Sequence, residues 1–166
     1  MSIDMDYMAG EEFITAEELG QELAAFFGLS AGDTVPERVS EQVVVFGGVF
    51  EPVGFLVFHI VRKGGMYPGV YESAILKRDF PYEQSVSFRL DKERDIPETL
   101  NVVLRFVCHL FRKYPVNALL EVLDRDECLF EKESGKIYLR PGSDCFSPET
   151  LRACGIEALR AGAGKH

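Results

Sequence analysis

Few residues in this chain could do chemistry. Its 166 residues include only three histidines, His59, His109 and His166. His59 sits in the apolar run Phe58-His59-Ile60, and His109 lies within a helical stretch. Neither has a Cys, Asp or Glu at ligand spacing, so both read as structural side chains rather than zinc ligands. The four cysteines, Cys108, Cys128, Cys145 and Cys154, form no CxxC pair. That argues against a zinc ribbon or a thioredoxin-type redox site. Cys108 and Cys128 fall in apolar runs and are expected as small core residues. Asp124, Asp126 and Glu127 alternate as calcium ligands do, but they lack the glycine and distal glutamate of an EF-hand loop and read as a solvated turn. Arg89 and Asp91 share one strand face and can pair with each other or with a neighbouring strand. There is no GxSxG elbow, no GxxxxGK[ST] and no GxGxxG. The chain therefore reads as a non-enzyme, with no catalytic residue, metal ligand or cofactor assigned. If a small-ligand pocket existed, Tyr67, Tyr71, Arg89 and His59 would be the residues to line it.

What remains is charge. The formal net charge is −9, and it is unevenly placed. Residues 1–60 carry eleven acids against one base, Arg38, a net charge of −10. Such a balance works against nucleic acid and against anionic lipid, because both need lysine and arginine. The acids can serve solubility alone. They can also form a face for a basic protein partner, where opposite charge speeds encounter and improves selectivity. On the second reading the candidate partner-binding residues are Glu11, Glu12, Glu17, Glu18 and Glu22, with Asp124, Asp126 and Glu127 as a second cluster.

The elements that must carry these residues can be read from periodicity. Ile3, Met5 and Tyr7 alternate with polar neighbours, as in a strand. Thr15-Ala16-Glu17-Glu18 has the capping-box pattern. Leu19, Leu23, Phe26 and Phe27 then make one stripe of a helix over 16–27, acidic on its outer side, with Gly28 as its stop. Residues 42–46 and 54–61 read as strands, the latter apolar on both parities. Gly47-Gly48 reads as a bulge, Gly64-Gly65 as a turn and Tyr67-Pro68-Gly69 as a loop. Residues 85–91 alternate cleanly, with Val86, Phe88 and Leu90 inward. Asp95 caps a second helix, with Pro97 in its first turn, Arg112 and Lys113 in its last, and Pro115 beyond it. Residues 118–123 read as a strand. Residues 128–131 and 136–139 read as a hairpin around Ser134-Gly135. Ser147-Pro148 opens a short final helix. The order predicts an α+β fold, a mostly antiparallel sheet with two amphipathic helices on one face and a short C-terminal helix. It is expected as a single domain over 1–160 with a flexible tail at 161–166. The N-terminus has no basic n-region or apolar h-region, and the apolar run Val53–Val61 is too short to span a bilayer as a helix. A cytoplasmic location, free of membrane, is expected.

Asp79-Phe80, the run Ser85-Val86-Ser87-Phe88-Arg89-Leu90-Asp91-Lys92, the helix Leu100 to Phe111, Ala118-Leu119-Leu120 and Gly135-Lys136-Ile137-Tyr138-Leu139 together resemble the swarming-inhibition immunity proteins of bacterial polymorphic toxin systems. The resemblance covers roughly residues 1–140. It implies an antidote that binds and neutralises a cognate toxin domain, with Phe80, Phe88 and Leu90 as core and Arg89, Asp91 and Lys92 as polar positions. A secretion chaperone or adaptor-like binding module is the alternative, since small size, acidity and an α+β layout suit it equally. Under the immunity reading, charge reversal of Glu11, Glu12, Glu17, Glu18 and Glu22 should slow association with a basic toxin.

Overall fold

The computed structural model describes residues 3–62, 69–73, 77–122, 127–139, 152 and 159–160. In chain order the elements are β1 (Ile3–Ala9), α1 (Ala16–Phe27), β2 (Glu37–Arg38), β3 (Val43–Phe46), α2 (Phe50–Val53), β4 (Phe55–Val61), β5 (Gly69–Ser73) and β6 (Arg78–Tyr82). They continue with β7 (Gln84–Leu90), α3 (Ile96–Lys113), β8 (Ala118–Val122), β9 (Glu127–Glu133), β10 (Lys136–Leu139) and β11 (Leu159–Arg160). One sheet has the order β11-β10-β9-β8-β1-β7-β4-β3-β2, and β5 and β6 form a separate two-stranded sheet. All pairings in the large sheet are antiparallel except β10 with β11. The fold is α+β, as the element order predicts.

Strand parity decides which side is core. Met5 and Tyr7 on β1, Phe55 and Val57 on β4, Val86 and Phe88 on β7 and Leu120 on β8 are fully buried in one cluster with Leu19 and Leu23 of α1 and Val103, Phe106 and Val107 of α3. Both long helices therefore cover the same sheet face, where apolar area leaves water on both sides of the contact. Edge-to-face ring contacts join the layers: Phe106 meets Phe26 at 5.3 Å and Phe88 at 6.1 Å, and Tyr7 meets Phe111 at 5.1 Å. A smaller cluster of Met8, Phe80 and Leu119 lies apart from this core, with Tyr82 and Tyr138 packed on it.

Thr15 and Asp95 cap their helices as read, although the Glu18 carboxylate accepts from the Thr15 hydroxyl, at 3.1 Å, where a capping box would have it accept from the backbone N–H. The backbone N–H of Glu18 donates to the Thr15 hydroxyl at 3.1 Å, and that of Glu98 to the Asp95 carboxylate at 3.0 Å. Gly28 ends α1 in the left-handed region. The β9–β10 hairpin turns on Ser134 and Gly135, with φ of 52° and 81°. Two positive φ values in a two-residue loop match the right-handed twist of the flanking strands. Lys132, itself buried, donates to the carbonyls of Phe111 and Tyr114, at 2.6 and 2.8 Å. It thus puts a cation at the negative end of α3, where burial lowers the ammonium's pKa.

Three local readings change. Gly47-Gly48 is not a bulge but part of a 3₁₀ turn over 47–49 that runs into α2. At Gly48 a Cβ would stand 2.4 Å from the Asp33 carbonyl oxygen, so glycine is required by close backbone approach. Strand β4, apolar on both parities, is fully buried only on its odd positions, and Leu56, Phe58 and Ile60 are half-buried. Gly69 begins β5 rather than closing a loop. The Gly64-Gly65 turn, the final helix from Ser147 and the tail 161–166 lie outside the described residues.

Candidate functional site

Two polar residues occupy inward positions on neighbouring strands. His59 on β4 and Gln84 on β7 share the parity of Phe55, Val57, Val86 and Phe88, yet are 5 % and 1 % exposed. They meet the chain between β1 and α1. The Gln84 carboxamide oxygen accepts from the backbone N–H groups of Phe13 at 2.9 Å and Ile14 at 3.3 Å. Its Nε2 donates to the Ile14 carbonyl at 2.7 Å, and His59 Nε2 lies 2.9 Å from the same oxygen. A buried segment without regular structure needs such partners for its backbone. Gln84 and His59 thus fasten the entry of α1 to the end of the sheet.

A groove of about 450 Å³ opens over this junction. His59, Gln84, Ile14, Val44 and Val61 are among its lining, and Glu12, Glu17, Glu18 and Glu41 add four exposed carboxylates. One base lines it, Arg38, whose guanidinium donates to the carbonyls of Ser40 and Glu41, both at 3.0 Å. Glu17 and Glu18 also stand in the first turn of α1. Among the described residues, no group of three or more His, Cys, Asp or Glu side chains is placed to hold a metal ion.

The structure thus divides the acids read from the sequence. Glu12, Glu17 and Glu18 come together at the groove, joined by Glu41, which the sequence reading did not single out. Glu11 lines a different concavity, of about 480 Å³, with Gly10, Arg78, Phe80, Pro81, Pro115 and Asn117. Glu22 turns inward between the helices. Its carboxylate accepts from His109 Nε2 at 2.6 Å, from the Lys113 ammonium and from the Tyr114 hydroxyl at 3.3 Å. Burial alone would raise its pKa, but the Lys113 and His109 hydrogen bonds outweigh burial and hold it below the ordinary value. Burial beside Glu22 pushes the Tyr114 phenol up to about 12. Asp124 and Asp126 lie outside the described residues, as does the side chain of Glu127.

Of the four residues named for a ligand pocket, His59 lines the groove. Arg89 is exposed and pairs with Asp4 at 2.9 Å, directly across the β1–β7 register, rather than with Asp91. Asp91 instead faces Arg94 at 3.5 Å. Tyr67 and the side chain of Tyr71 lie outside the described residues. Gln84 escaped the sequence reading, although a glutamine in step with Val86, Phe88 and Leu90 was its signal.

Fold and site define an α+β chain with an acid-edged groove at one end of its helix-covered sheet. The SitI3-like family model matches residues 13–150, and the chain belongs to that family. Members of the SitI family are immunity proteins. No curated protein matches it, and no solved structure does. No helix among the described residues is long and apolar enough to cross a membrane.

Proposed function

We propose that this protein is the antidote to a cognate bacterial toxin domain, which it neutralises by binding rather than by catalysis. Family membership over residues 13–150 carries the reading. The acid-edged groove supports it independently. Glu12, Glu17, Glu18 and Glu41 are exposed on one side of the molecule, where a basic surface would be drawn in by charge. Many toxin domains act on nucleic acids and are basic for that reason, and an acidic inhibitor meets them as phosphate does.

The test is calorimetry between this protein and the toxin domain encoded by the neighbouring gene, inactivated for safe expression. Tight one-to-one binding is expected, together with rescue of cells expressing the active domain. Absence of binding at micromolar concentrations, with both proteins folded, would overturn the reading. Reversing the charge of Glu12, Glu17, Glu18 and Glu41 together should lower the association rate about tenfold or more at low salt and much less at high salt.

A further inference from the structure

The floor of the groove shows what kind of group would bind there. Gln84 is oriented by the two backbone N–H groups on its oxygen, so its NH₂ faces both the Ile14 carbonyl, at 2.7 Å, and His59 Nε2, at 2.9 Å. Seen from that nitrogen the two targets lie about 60° apart, because His59 Nε2 is itself 2.9 Å from the Ile14 oxygen. The two N–H bonds of a planar amide diverge by about 120° and cannot serve both. A carbonyl oxygen accepts over a broad range of directions, whereas a donor must aim its hydrogen. The network is therefore satisfied when Gln84 Nε2–H and His59 Nε2–H both donate to Ile14 O. Nδ1, on the other side of the ring, takes no part in these bonds.

Nδ1 has no partner among the described residues. Among the described residues the side-chain atoms both sealed from solvent and unpaired are the Tyr7 hydroxyl and Arg62 Nε, and Nδ1 is not one of them. His59 is nevertheless 95 % buried and lines the groove, so the open side of its ring is the groove itself. Carboxylates dominate the polar groups there, those of Glu12, Glu17, Glu18 and Glu41; beside them stand His59 Nδ1, the Gln42 carboxamide and the Thr15 hydroxyl, which already donates to Glu18 at 3.1 Å. The one guanidinium, Arg38, already holds two carbonyls.

We infer that this groove receives a basic side chain, arginine or lysine, from the partner protein. The inference relies on the immunity reading only for the identity of that partner. An arginine supplies several N–H donors in a planar fork that matches carboxylates, and its charge offsets the crowding of four acids. Apolar wall residues Val44 and Val61 suit its methylene stem.

Titration of the full chain with N-acetyl-arginine amide, followed by two-dimensional amide NMR, tests the groove without the toxin. Shifts are expected at Phe13, Ile14, Glu17, His59 and Gln84. N-acetyl-citrulline amide, equal in shape but neutral, should produce none. The variant E12Q/E17Q/E41Q, which leaves the Thr15–Glu18 cap untouched, should bind about tenfold more weakly. No shifts at about 20 mM probe, equal shifts with citrulline, or shifts confined to other acids would overturn the inference. Arginine binding at the groove alongside failure of the toxin domain to bind would uphold it while removing the immunity reading.

Discussion

Gln84 joins the sheet to the entry of α1, and its removal can be worked through. Replacing it with leucine keeps the volume and deletes four polar contacts. The Ile14 carbonyl retains His59 as a donor. The N–H groups of Phe13 and Ile14 are left with no acceptor at a position that is 1 % exposed. An orphaned buried donor costs about 1–3 kcal/mol. Phe13 is only part-buried and the Ile14 bond is long at 3.3 Å, so the low end applies to each. Gln84→Leu should therefore destabilise the protein by about 2–3 kcal/mol, which in a chain of this length lowers Tm by about 5–10 °C. Urea unfolding followed by far-UV circular dichroism reads the loss as a lower midpoint at constant slope. Hydrogen exchange should locate it, with the amides of Phe13 and Ile14 losing protection before those of β1 or α3. A change below about 0.5 kcal/mol, or unaltered exchange at those two amides, would refute the fastening role and with it the geometry on which the His59 tautomer rests.

Three further outcomes follow from particular contacts. Glu22→Gln should cost about 1–2 kcal/mol at neutral pH, since the Lys113 and His109 contacts lose a half-buried anion. Because its folded pKa is depressed, the lost stability is present above about pH 4.5, the ordinary glutamate value, and disappears as pH falls through the folded value; the variant's acid limb in a urea–pH series should be flatter. Asp6→Asn should stabilise the fold by about 1 kcal/mol at neutral pH, because burial raises the Asp6 pKa despite its bond to Ser87. A raised acid contributes most below the ordinary carboxylate range and loses that contribution as pH rises, so the variant's gain should vanish in acid; a loss at neutral pH would contradict this. Gly48→Ala should cost at least about 2 kcal/mol, since its Cβ meets the Asp33 backbone at 2.4 Å, and thermal unfolding would show it.

Most of the secondary structure is decided locally. Thr15 and Asp95 start their helices because a side-chain oxygen can reach an N–H three residues on, whatever else the chain does. The alternation of Val86, Phe88 and Leu90 sets which face of β7 is inward, because a pleated strand has period two. The negative balance of residues 1–60, and its bias toward a basic partner, are likewise properties of composition. What period and charge could not decide is which acids face out together. Glu22 and Glu18 are one helical turn apart, yet Glu22 is drawn between α1 and α3 by Lys113 and His109, about 90 residues away in sequence, while Glu18 opens on the groove. Glu41 reaches the same groove only because β3 pairs with β4 and carries it beside the entry of α1. His59 and Gln84 looked like polar interruptions of apolar strands. Placing β4 next to β7, with the Phe13–Ile14 backbone laid across both, makes them the floor of a groove. Hydrogen bonds and ion pairs act over about 3 Å, and only the tertiary fold brings groups 45 to 90 residues apart within that reach.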